Sequence, residues 1–103
     1  MHRLLPLLIA MAALPARADD AAALRVRSLA AQCAACHGTE GHAVEGSLIA
    51  GLSGMPASYF SAQMKAFRSG ARQGTVMPQL AKGFTPEQVE QLAAFFAAQR
   101  RRP

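Results

Sequence analysis

The run Cys33-Ala34-Ala35-Cys36-His37 constrains this chain more than any other feature, because it gathers both of the chain's cysteines and one of its three histidines into five residues. Few chemistries have a use for two thiols separated by two residues with an imidazole directly behind the second. Whatever fold the rest of the chain adopts has to present that cluster, and the length available for doing so is short.

The N-terminal residues read as a leader rather than as part of the fold. His2 and Arg3 make a basic start, Leu4 to Leu14 is an apolar stretch, and Ala16-Arg17-Ala18 gives the small-x-small pattern that a signal peptidase accepts. The stretch is too short for a membrane span, which takes about 20 apolar residues. The expectation is a cleaved secretory signal peptide over 1–18, a single domain over 19–103, delivery to the periplasm, and no stable membrane insertion after cleavage. A domain of that size buries only about 60% of its unfolded surface and commonly leans on a staple, a metal or a cofactor. Tryptophan is absent and the aromatic supply is one Tyr and five Phe. With Arg3 and Arg17 set aside, nine Lys/Arg remain against six acids, a mild and scattered excess. Nucleic-acid binders concentrate theirs in a stripe, so no nucleic-acid partner is expected.

The periodicity predicts an all-α chain. Residues 21–33 form a first helix with Val26, Leu29 and Cys33 on one face. Residues 38–55 hold five glycines and no helical period, so they read as a long loop. A loop of that length in so small a domain is expected to wrap something. A second helix starts near Pro56, carries Phe60, Met64 and Phe67 on one face, and stops at Gly70. Residues 71–84 read as another loop containing Met77-Pro78. The last helix has Thr85 as its N-cap, Pro86 at its first position and Gln88 completing a capping box, with Val89, Leu92, Phe95 and Phe96 as its apolar face. No segment shows the alternation of a strand.

The spacing Cys-x-x-Cys-His is that of c-type haem attachment. Each thiol adds across a vinyl group to give a thioether, and the histidine behind the second is carried beneath the iron, where neutral Nε2 is the ligand. A thiol–disulfide exchanger would set the pair in a βαβ context, for which no strands exist. Cys33, Cys36, His37 and His42 fit no common zinc spacing. A disulfide across two residues would remove little chain entropy. The cofactor expected is therefore one covalent haem c with iron.

For the other axial position the candidates are Met55, Met64, Met77 and His42. Met64 sits on an apolar helix face and reads as core, Met55 as packing before the second helix. His42 is too close to His37 to cross to the opposite face. Met77 lies 40 residues beyond His37, just ahead of the last helix, where the chain can return on the far side. A thioether opposite histidine raises the potential and blocks small-molecule binding. His37 and Met77 are accordingly the expected metal ligands.

The chain also resembles the single-haem class I cytochromes c, of the cytochrome c4 and c-553 type, and the haem subunit of flavocytochrome c sulfide dehydrogenase. The resemblance rests on the attachment motif with Gly38, on Ile49 to Tyr59 leading into Gln63 to Gly70, on Thr75-Val76-Met77, on Leu80 to Phe84, and on Leu92 to Phe96. It implies the small class I fold, three main helices and long loops around one haem, with a methionine at the position of Met77 as distal ligand. It also implies a backbone carbonyl that accepts the proximal histidine's Nδ1 proton. Relatives usually place a proline there; this chain has Ala50. Met55 stands where glutamine is common, and Pro78 follows Met77. In the family fold the first and last helices cross, with Ser28 or Ala30 facing Phe95 or Phe96.

These readings imply a one-electron carrier rather than an enzyme, serving redox protein partners such as a dehydrogenase, an oxidase or a flavoprotein. The alternative is an electron-accepting haem subunit of a dehydrogenase such as a flavocytochrome c sulfide dehydrogenase; a gas-binding protein would require an open axial site. Lys65, Arg68, Arg72 and Lys82 are candidate docking charges, Tyr59 a candidate propionate partner, and Arg100 to Arg102 read as a solvated tail.

Overall fold

The computed structural model describes residues 14, 15 and 17–101. The expected leader falls largely outside them, and among them no helix is long and apolar enough to cross a membrane. The element order is α1 (Ala18–Ala31), α2 (Ala34–His37), a 3-10 turn (Thr39–Gly41), α3 (Ala57–Ser69), α4 (Met77–Lys82) and α5 (Pro86–Ala97). No strand occurs among the described residues.

The three long helices are α1, α3 and α5, and their starts and stops follow local chemistry. Asp19 and Asp20 lie in the first turn of α1, where carboxylates favour the positive end of the helix dipole. α3 begins directly after Pro56 and ends at Gly70. In α5, Thr85 Oγ1 accepts from the Gln88 amide at 3.1 Å, and the Gln88 side chain accepts from the Thr85 amide at 2.9 Å. This reciprocal pair is the capping box read from the sequence.

Two expectations need correction. The first helix does not run into the cysteines: it stops at Ala31, and Cys33 caps a separate four-residue helix, α2, that carries the rest of the motif. Residues 71–84 are not all loop either, because Met77–Lys82 is helical with Pro78 in its first turn. Proline is tolerated there because that amide has no intrahelical partner to lose.

α5 is the centre of the molecule. Leu92, Ala93 and Phe96 are fully buried, and Ala30 from α1, Phe60 and Met64 from α3, Ala81 from α4 and Leu52 from the long loop complete the core. Phe96 stacks on Phe60 at 5.6 Å between centroids and meets Phe95 edge-on at 5.2 Å. Phe60 and Phe96, both buried, each contribute about 1.5–3 kcal/mol by burial. Ala30, not the exposed Ser28, is the small residue of α1 turned inward, and it shares a shallow cleft with Phe95.

The long loop is tied down at both ends. The amides of Leu52 and Ser53 donate to the Gly41 carbonyl at 2.8 and 3.1 Å, and the Gly54 amide donates to the Phe96 carbonyl at 2.8 Å. These bonds fold residues 42–54 back over the end of α5 and set the position of Ala50.

Candidate functional site

The attachment motif occupies one helical turn. The Cys33 amide donates to Ala30 at 3.0 Å, and the Cys33 carbonyl accepts the His37 amide at 2.9 Å. Residues three and four apart share a helix face, so Cys33, Cys36 and His37 stand on one side of α2. Cys33 is half-buried and Cys36 exposed. Burial pushes the Cys33 thiol above its ordinary value, since a thiolate there would be poorly solvated. Gly38, at φ 86, turns the chain away immediately afterwards.

His37 Nδ1–H donates to the Ala50 carbonyl at 2.6 Å across 13 residues of sequence. A carbonyl only accepts, so the bond fixes the proton on Nδ1 and leaves the Nε2 lone pair to coordinate a metal. Alanine serves as well as proline in this role because the contact is to main chain.

An open pocket of about 510 Å³ is lined by Gly51, Ser53, Met55, Pro56, Tyr59 and Arg101, and none of Cys33, Cys36, His37 and Met77 is among its lining residues. Met77 opens α4 and is half-buried against the core, as is Met55 before α3; Met64 is buried inside α3. Ile49, Tyr59, Val76 and Leu80 are each about half exposed, at 45%, 51%, 56% and 47%. Ile49 adjoins Ala50, while Val76 and Leu80 flank Met77 one turn apart, so apolar side chains stand uncovered beside two of the candidate residues.

Several polar side chains outside the motif are engaged within the chain, and His42, set aside as a ligand by its spacing, is one of them. His42 Nε2–H donates to the Arg100 carbonyl at 2.7 Å, and its Nδ1 lies 3.1 Å from the Thr39 carbonyl. The ring is thus held against main chain rather than turned towards a metal. Arg101 is exposed but tied down, because its Nε–H donates to the Gly54 carbonyl at 3.1 Å. Nothing in a run of three arginines marks which of them does this. Among the proposed docking charges, Arg68 donates to the Phe84 carbonyl at 2.7 Å. Arg72 donates to Gln63 Oε1 at 2.6 Å and covers the Phe67 ring at 4.7 Å.

The family described as cytochrome c oxidase, cbb3-type, subunit III matches residues 16–96. Cytochrome c-554(548) of Halomonas halodenitrificans is 34% identical over 70 residues, covering 65% of this chain and 83% of that protein. The chain belongs to the class I monohaem cytochromes c. The cytochrome is also 37% identical over 68 residues to the cytochrome subunit of sulfide dehydrogenase of Chlorobaculum tepidum, covering 66% of this chain and 60% of that one. The thiosulfate dehydrogenase electron acceptor of Thiomonas intermedia is 37% identical over 68 residues, covering 66% of this chain and 31% of that protein. The cytochrome therefore spans less than two thirds of the length of the sulfide dehydrogenase subunit and about a third of the thiosulfate dehydrogenase electron acceptor.

The cofactor of this cytochrome is a covalent haem c with iron, and its role is electron transfer. The residues present suit such a group. Two thiols lie one turn apart, an imidazole is oriented with Nε2 free, and apolar side chains beside Ala50 and Met77 lack cover.

Proposed function

We propose that Cys33 and Cys36 form the two thioethers, that His37 and Met77 are the axial ligands, and that the cytochrome works as a periplasmic one-electron carrier after cleavage of the leader at 1–18. The observation that carries the reading is the His37–Ala50 hydrogen bond, which orients the imidazole and selects its tautomer. Bound haem supplies the one-electron couple. The chain's own part is to hold two ligands fixed through the change of charge, so that little reorganises when an electron arrives or leaves. The tied loop of residues 42–54 holds His37 through Ala50, and α3 holds α4, on which Met77 sits. Val76, Leu80 and Ile49 would keep water from the cofactor once it covers them.

Absorption spectroscopy of the holoprotein tests the ligand set. The oxidised protein should show the weak far-red band of methionine–iron(III) ligation. Met77→Ala should abolish that band and admit carbon monoxide to the ferrous form, while Met55→Ala should leave the band in place. Retention of the band in Met77→Ala would sink the assignment.

A second reading is favoured by the relatives named as a sulfide dehydrogenase subunit and as a thiosulfate dehydrogenase electron acceptor. In it, the cytochrome is the electron-accepting partner of such a dehydrogenase. Purification of the native protein under low salt should then yield a stable stoichiometric complex with an oxidoreductase; a monomeric cytochrome throughout would favour the diffusible carrier.

A further inference from the structure

We propose that Phe67 and Arg68, neighbours on α3, form a two-point clamp on α4 that sets the position of Met77, with Arg68 acting as a positioning residue. The inference rests on the reading of Met77 as axial ligand.

α4 has six residues and no side-chain cap at its start. A helix that short does not hold its shape or place without tertiary support. Support comes from α3 at both ends of the segment. On the entry side, Gly74 lies against the Phe67 ring and against Pro78: a methyl group added at Gly74 would stand 3.2 Å from Phe67 Cε1 and 3.2 Å from Pro78 Cδ. The Phe67 ring is in turn backed by the Arg72 guanidinium. On the exit side, Arg68 Nη1–H donates to the Phe84 carbonyl, between α4 and the N-cap of α5. Thr85 is already fixed there by Gln88, so Arg68 joins the end of α3 to a point that α5 holds rigid.

Met77 opens the helix at the entry point, directly before Pro78, and the exit point supports the other end. With the exit point released, the six-residue helix unwinds from its C-terminal end towards Met77, and the thioether loses its preset position. Because the Arg68 side chain is exposed, its charge remains hydrated and the clamp is of ordinary hydrogen-bond strength. That corresponds to roughly three- to tenfold in the equilibrium between bound and released methionine. Lys65, on the same helix and exposed, makes no such bond among the described residues and is the matched control.

The test is an imidazole titration of the oxidised holoprotein, in which added imidazole displaces the Met77 thioether and the far-red band reports the displacement. Arg68→Gln should lower the apparent dissociation constant for imidazole roughly three- to tenfold, and Arg68→Lys should recover part of the loss. Lys65→Gln should leave the constant unchanged. Hydrogen exchange should quicken at the Gln79 and Leu80 amides, which bond to Val76, and not in the core of α5. An unchanged imidazole constant in Arg68→Gln overturns the clamp, including the case in which only the salt dependence of electron transfer falls, which would make Arg68 a docking charge. If Met77→Ala keeps its far-red band, the underlying ligand reading fails, and that result is distinguishable because it appears without any change at Arg68.

Discussion

Gly41 ends the 3-10 turn with φ +78, and a Cβ built there would stand 2.8 Å from Leu52 Cβ and 2.9 Å from Phe96 Cδ1. Gly41→Ala therefore combines a left-handed backbone penalty with overpacking against a fully buried ring, together about 2–4 kcal/mol. Gly46 offers an internal comparison: its φ is +79, but nothing lies within 4 Å of an added Cβ. Urea unfolding of the holoproteins should show Gly41→Ala well below Gly46→Ala, which bears the backbone penalty alone, about 1–2 kcal/mol. At this scale the bond from His37 to the Ala50 carbonyl was legible in advance. The Cys-x-x-Cys-His spacing needs only one helical turn to be met, and the Ala50 carbonyl is available whatever its side chain. The inward role of Ala30 was harder to read, since Ser28 and Ala30 are equally small and only packing against α5 selects between them.

α5 and α4 differ in how much of their structure is written locally. The start of α5 is a closed four-residue arrangement, Thr85 to Gln88, and its reading needed no other part of the chain. Thr85→Ala should cost about 1 kcal/mol, seen as a lower thermal midpoint. The loss should exceed that in Gln88→Ala, which leaves the Thr85 hydroxyl free to satisfy the same amide. α4 was read as loop because six residues carry too little period to register, and Met77-Pro78 suggests a break when Pro78 is taken alone. Its helix is imposed by α3, through Phe67 and Arg68, at a separation no local pattern reveals. The same holds for the break between α1 and α2. Alanines continue on both sides of the turn at Gln32 and Cys33, and propensity would have carried the helix straight through.

Across the whole molecule, α5 joins α1 on one side and α3 on the other, while the chain's tail and its glycine-rich loop close over one end. The ties that reach furthest in sequence are the least visible in it: His42 to Arg100 spans 58 residues and Arg101 to Gly54 spans 47. Each follows from the completed fold and not from any motif. The bond from His37 to Ala50 shares one property with these and with the bond from Arg68 to Phe84: a side chain donates and the main chain accepts. The two partners in such a pair are therefore under unequal selection. The donor must keep its chemistry, whereas the acceptor position can drift through almost any residue that preserves the path of the backbone. Ala50 is an instance of that freedom: it makes the bond to His37 through main chain alone, so its side chain is left out of the contact.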